Sequence, residues 1–127
     1  MEKVYPHQDL TERIIGAAIE VHKALGPGLL ESAYQTCLAH EFALRGLTFE
    51  QEKPLPVVYQ GIRLDCGYRL DFAVDGKVVV ELKAVDSIHA VHRAQLLTYL
   101  KLTGCKVGLI LNFNEAVLKN GIERLVL

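Results

Sequence analysis

A mixed α/β fold, helices flanking a mixed sheet of four or more strands, is what this sequence predicts. Three observations carry that prediction. Apolar residues recur at helical spacing over the first 45 residues, the period switches to two between residues 48 and 85, and another helical stretch then separates two strand-like runs.

The elements follow in order. Asp9 and Glu12 have capping-box spacing, with Asp in the cap position, and Leu10, Ile14, Ala18, Val21 and Leu25 continue along one helical face. Gly26-Pro27-Gly28 ends that helix. A second helix is expected from Leu29 to Arg45, with Leu30, Ala33, Tyr34, Cys37 and Leu38 on its apolar side and Gly46 as the stop. Pro54, Pro56, Gly61 and Gly67 punctuate the next stretch, which predicts an irregular first strand and its return.

A hairpin comes next. Leu70, Phe72 and Val74 alternate with Arg69, Asp71 and Ala73, and Val78, Val80 and Leu82 alternate with Val79, Glu81 and Lys83. A two-residue turn at Asp75-Gly76 would pair Val74 with Lys77 and Leu70 with Glu81, mixing apolar and polar faces. A three-residue loop of Val74, Asp75 and Gly76, with Gly76 left-handed, instead pairs Ala73 with Lys77, Leu70 with Val80 and Phe72 with Val78. That register puts the apolar residues on one face and sets Asp71 opposite Val79 and diagonal to Glu81, at roughly 7–8 Å. A third helix is expected from a cap at Asp86 or Ser87 to Gly104, with Ile88, Val91, Gln95, Tyr99 and Leu102 along one stripe in which Gln95 is the polar member. Residues 105–111 read as a buried strand, and a strand-helix-strand passage of this length implies a parallel neighbour. Residues 116–127 fit either a closing strand pair around Asn120-Gly121 or a short helix, and a strand is the favoured reading.

At 127 residues the whole chain, 1–127, is expected to form one domain, and a hydrophobic half excludes disorder. No apolar run approaches the ~20 residues that span a bilayer, and the first residues lack a signal-peptide stretch, so a soluble cytoplasmic protein is expected, with no membrane partner. Cys37, Cys66 and Cys105 are odd in number and form no C-x-x-C pair, so they read as reduced, mostly core residues. A net charge of −1 offers no general attraction to polyanions, so a nucleic-acid partner would have to be held by a local patch or a bound metal.

Asp71, Glu81 and Lys83 share one sheet face. The plain explanation is a solvated side of an amphipathic sheet. Against it, Ala73 and Val79 lie on the same face and imply cover, and carboxylates crowded in a covered place repel unless a cation or proton neutralises them. A hard divalent cation such as magnesium takes oxygen ligands of this kind. Lys83 would not be a ligand; it would orient or help deprotonate water, or meet the charge growing on a phosphate. Gln95 needs hydrogen-bond partners for its amide if it lies in an apolar stripe. His89 and His92, three apart, are read as a solvated helix face rather than a metal grip.

Asp71, nine intervening residues, then Glu81-x-Lys83 resembles the D…(D/E)xK signature of the PD-(D/E)xK nuclease superfamily. Gln95-Leu96-Leu97-Thr98-Tyr99 resembles the QxxxY motif of its RecB-type exonuclease branch, and Gly28-Leu29-Leu30-Glu31-Ser32-Ala33-Tyr34 is similar to the motif of the GxxExxY family placed in the same superfamily. Leu70 stands before Asp71, where that superfamily often has proline. The resemblance covers nearly the whole chain. It implies a restriction-endonuclease-like core and a magnesium- or manganese-dependent nuclease acting on DNA, with RNA as the lesser alternative. It further implies Asp71, Glu81, Lys83 and Gln95 as the catalytic group and Glu31, Asp71, Glu81 and the Leu82 carbonyl as the metal set. Tyr34, Arg69 and Tyr99 are expected as nucleic-acid-binding or supporting residues. The competing expectation is a catalytically silent nuclease-fold protein that binds nucleic acid or a protein partner, and a third is a self-associating protein, a homodimer, whose nuclease site is completed by its partner.

Overall fold

The computed structural model describes residues 5–65 and 67–127. The chain forms α1 (Gln8–Leu25), α2 (Glu31–Leu44), β1 (Phe49–Pro54), β2 (Val57–Tyr59), β3 (Ile62–Leu64), β4 (Arg69–Val74), β5 (Val78–Lys83), α3 (Ala90–Thr103), β6 (Val107–Asn112), a 3-10 turn (Leu118–Gly121) and β7 (Ile122–Val126). Five strands make one sheet in the order β1-β4-β5-β6-β7, while β2 and β3 pair only with each other. β5 and β6 run parallel and the other neighbours antiparallel, so the sheet is mixed, as expected.

Both faces of the central strands are covered, which is why β5 and β6 read as nearly unbroken apolar runs. On one face Phe72, Val74, Val80, Leu82, Leu109 and Leu111 pack with Ile14, Ala18, Tyr34, Leu38 and Phe42 of α1 and α2. On the other, Ala73, Val79 and Ile110 meet Leu96, Tyr99 and Leu100 of α3. Gly108 makes that second contact close: a Cβ there would stand 2.8 Å from Leu96 Cδ1. The last strand is tied back to the first helix. Arg124 donates from Nη1 to Thr11 Oγ1 at 2.7 Å and from Nη2 to the Pro6 carbonyl at 2.5 Å, and its guanidinium stacks over the Tyr5 ring. Among the described residues no helix is long and apolar enough to cross a membrane.

Several expectations are corrected. α1 starts one residue before Asp9, with His7 in the left-handed region and no side-chain cap; Asp9 lies in the first turn, where the helix dipole favours it. α2 starts at Glu31 rather than Leu29, and Leu30, expected on the apolar side, is 77% exposed in its extended cap position. The buried members of α3 are Leu96, Tyr99 and Leu100, whereas Val91, Gln95 and Leu102 are exposed. The chain offers Leu96, Leu97, Leu100 and Leu102 to two competing helical stripes, and packing under Gly108 selects the one with Leu96. The start of α3 falls at Ala90, later than Asp86 or Ser87. Residues 118–126 form both a short helical turn and a strand. Cys37 and Cys105 are free thiols at the edge of the packing, only partly buried; Cys66 lies outside the described residues.

The hairpin register also differs. Asp75 (φ +54°) and Gly76 (φ +63°) both occupy the left-handed region, and Lys77 N–H donates to the Val74 carbonyl at 3.0 Å, so the tight Asp75-Gly76 turn does form. Lys77 is then an extra residue on its strand, and pairing resumes as Val74–Val78, Ala73–Val79 and Phe72–Val80. The loop is Asp75-Gly76-Lys77, not Val74-Asp75-Gly76. The side-chain faces survive, because the pairing shifts by two residues, except at Leu70. That residue packs with Leu55, Leu96 and Tyr99 on the α3 side. The β4–β5 ladder ends at Phe72, and on the other side of β4 the neighbouring Glu52 has φ +51°, so the strand distorts at Asp71.

Candidate active site

The place where β4 and β5 part is where Asp71 and Glu81 face one another. Continuing the pairing would set these two residues directly opposite. Their side chains take over from the ladder instead. Glu81 Oε2 accepts the Asp71 N–H at 3.2 Å, and Asp71 Oδ2 accepts the Leu82 N–H at 2.8 Å. Two backbone donors that the splayed strands would leave unpaired are thereby satisfied, and two acids are locked side by side.

Glu81 is 6% exposed. Burial first, then the Asp71 charge and a hydrogen bond between the two carboxyls, push its carboxyl up to about 9; the bond from the Asp71 backbone and the Lys83 ammonium act in the opposite direction. Lys83, two residues on, is half-buried, and among the described residues it has no carboxylate within 4.0 Å. Glu31 opens α2 and is exposed. Its carboxyl is raised by partial burial and by Asp71 and lowered by Lys83, which places it within electrostatic reach of both.

The expected convergence of three carboxylates is not found: among the described residues no three His, Cys, Asp or Glu side chains gather closely enough to hold an ion by themselves. Asp71 and Glu81 come together and Glu31 stands at the rim, since a third carboxylate drawn onto the pair without a cation would be repelled. The pair nonetheless fits a hard divalent cation by its donor set. It offers carboxylate oxygens only, in a covered spot where Glu81 stays neutral by keeping a proton that a cation could replace.

The Lys83 end of β5 is fixed by a residue that the sequence reading passed over. Asn112, 1% exposed, accepts the Val85 N–H on Oδ1 at 3.1 Å and donates from Nδ2 to the Val85 carbonyl at 2.9 Å, while Phe113 N–H donates to the Lys83 carbonyl at 2.9 Å. The signal for it is a lone amide closing the apolar run Val107-Gly108-Leu109-Ile110-Leu111-Asn112.

The remaining candidates separate. Gln95 is exposed rather than buried, so its amide needs no partner inside the core. Tyr99 is buried on the same helix, its hydroxyl pushed up by burial, then by Glu81, Tyr68 and Asp71, with a hydrogen bond to Gln95 pulling down. Gln95 and Tyr99 line a groove of about 310 Å³ with Leu55, Val57 and Tyr68. Tyr34 is fully buried and stacks on Phe113 at 4.6 Å. Its hydroxyl donates to the Gly26 carbonyl at 2.6 Å and accepts the Leu29 N–H at 3.1 Å, so it holds the loop leading into Glu31. Arg69 is exposed and meets Glu52 at 4.0 Å. His92 Nδ1 accepts the His89 N–H at 3.0 Å at the start of α3. The two imidazoles exchange hydrogen bonds with the first turn's backbone as a capping box, and burial first, then the nearby Lys83, lower His92.

A family model described as the PD-(D/E)XK nuclease superfamily matches residues 8–125. No curated protein and no solved structure matches the chain.

Proposed function

Because the chain belongs to the PD-(D/E)XK nuclease superfamily, we propose that Asp71, Glu81 and Lys83 form the hydrolytic centre of a nuclease that cuts phosphodiester bonds in DNA, with RNA as the lesser alternative. The observation that carries this reading is the exchange between Asp71 and Glu81, each carboxylate on the other strand's backbone amide, with Lys83 beside them. Magnesium or manganese, held by Asp71 and Glu81 with Glu31 and the Leu82 carbonyl as further ligands, would neutralise phosphate charge and make water more acidic. Lys83 holds its ammonium toward the reacting phosphate and stabilises the charge that develops there. Gln95, on the exposed side of α3, orients the phosphate or the water through its amide, and Tyr99 supports it. Leu82 contributes its N–H to keep Asp71 aimed. The whole chain acts as one unit, in the cytoplasm, where such a substrate lies.

Asp71→Asn, Glu81→Gln and Lys83→Ala should each lower the cleavage rate by at least about a hundredfold, the scale seen when one charge-stabilising or acid-base group is removed. Purified protein incubated with manganese and labelled single-stranded DNA, duplex DNA and RNA tests this. No cleavage by the parent, or equal cleavage by the variants, defeats it.

The position of Glu31 favours a second reading. With only two carboxylates gathered among the described residues, the fold also suits a protein that binds nucleic acid or a protein partner without cutting. Calorimetric titration with manganese decides between them: binding that Asp71→Asn and Glu81→Gln abolish supports the enzyme, and no binding supports the silent module.

A further inference from the structure

We propose that the groove between α3 and the β2–β3 hairpin is a nucleobase subsite, which takes one unstacked base of the strand whose phosphate lies at Asp71 and Glu81, with Tyr68 as its stacking platform. The proposal rests on the nuclease reading for the identity of the strand.

The groove adjoins the carboxylate pair through packing: Leu55 and Tyr99, which line it, belong to one buried cluster with Leu70, next to Asp71, and Val79, two residues from Glu81. At about 310 Å³ it lies at the small end of ligand pockets, roughly 300–1,000 Å³. Its walls are apolar or aromatic, with the Gln95 amide and the Thr98 and Tyr99 hydroxyls as polar groups, and it contains no basic side chain. No cation lines the groove to hold a phosphate charge. A base has both things it needs, a flat apolar surface for its ring and a few polar groups for its edge.

Tyr68 is placed for this. Its carbonyl accepts the Leu55 N–H at 2.8 Å, which fixes its backbone at the foot of the hairpin, while the residue remains 47% exposed. The hairpin extends the same surface. Val57–Leu64 and Tyr59–Ile62 are cross-strand pairs, so these four apolar side chains share one face, with Tyr59 63% and Ile62 59% exposed. A two-stranded hairpin outside the main sheet has little stability of its own, and on this face Val57 is partly covered while Tyr59, Ile62 and Leu64 are exposed. The net charge of −1 sharpens the choice of occupant. A duplex presents phosphates and hides its bases, so an apolar groove lined by no cation offers it little, whereas an unpaired base meets stacking partners.

Binding can be measured in EDTA, where the metal-dependent chemistry is off, and tyrosine emission is readable because the chain has no tryptophan. The probes are a short fluorescein-labelled oligodeoxythymidine strand, the same strand with abasic sites, and a duplex of equal length. Binding of the thymidine strand with quenched tyrosine emission is expected. Tyr68→Ala should weaken it about 10- to 100-fold, the worth of one stacked base, and Tyr68→Phe should stay within about twofold of the parent. The abasic strand should bind parent and Tyr68→Ala equally weakly. Equal affinity of the parent for thymidine and abasic strands, tighter binding of the duplex, or no effect of Tyr68→Ala overturns the subsite. A dimer in sedimentation velocity that Ile62→Asp dissolves overturns it too, by giving the face to a second copy. If the parent binds bases through Tyr68 and never cleaves, the catalytic reading alone falls; if the parent cleaves and Tyr68→Ala changes nothing, the subsite alone falls.

Discussion

At Glu81, burial and the adjacent Asp71 charge both oppose ionisation, and the consequence for stability has a definite sign. The carboxyl is raised from its ordinary 4.5 to about 9, so the unfolded chain releases this proton before the folded one does. Its contribution is therefore fully present below about pH 4.5 and is lost as the pH rises towards 9. Glu81→Gln keeps the shape, can still accept the Asp71 N–H and has nothing to ionise. In EDTA the parent's urea midpoint should fall between pH 5 and 8.5, and Glu81→Gln should flatten that fall and be more stable at pH 8.5 by about 1–2 kcal/mol. A midpoint independent of pH in both proteins would contradict the placement of this acid. At this scale the sequence was partly legible. Glu81 and Lys83 announce themselves as charges in an apolar strand, whereas the sequence does not divide core packing from positioning of Glu31 at Tyr34, because its two hydroxyl partners, Gly26 and Leu29, are defined only once the loop has closed.

Strands and helices were legible to the extent that one periodicity had no rival. α1, β5 and β6 carry unambiguous patterns; α3, with leucines on two faces, did not, and its buried stripe emerged only from the fit of Leu96 over Gly108. The hairpin shows the same limit. Alternation specified which face each residue takes, but the single extra residue Lys77 shifted the pairing and moved Asp71 from a diagonal to a facing position with Glu81. The junction between β5 and β6 is the element-scale support of Lys83. Asn112 bonds Val85 twice across 27 residues of sequence, a contact that no local pattern announces. Asn112→Ala should cost about 1–2 kcal/mol by leaving the partly buried Val85 backbone groups unpaired, with a lower urea midpoint as the measurement. Cleavage measured well below the new midpoint should fall through kcat more than KM, because the displaced group is Lys83; an unchanged midpoint would show that Val85 finds other partners.

On the scale of the molecule, the sheet divides two apolar clusters, one under α1 and α2 and one under α3, and the candidate site lies where the Asp71–Glu81 split, the Glu31 rim and α3 approach one another. The mixed sheet with its parallel central pair was readable because β5 and β6 are apolar throughout and separated by a helix. The β2–β3 hairpin was not, since strands of three residues bracketed by Pro56 and Gly67 resemble a loop. The bonds from Arg124 to Thr11 and Pro6 have a further implication. They bring the two ends of the described chain within reach of one another, so the architecture is close to a ring that happens to be cut at one point. A circular permutant, with Leu127 joined to Tyr5 through a short Gly/Ser linker and reopened between exposed Arg45 and Gly46, should fold to the parent's circular dichroism spectrum, although its two leading helices would then be synthesised last. An unfolded permutant would mean that α1 and α2 must precede the sheet. A folded one would make the order of helices and strands in this chain a matter of where the ring was opened.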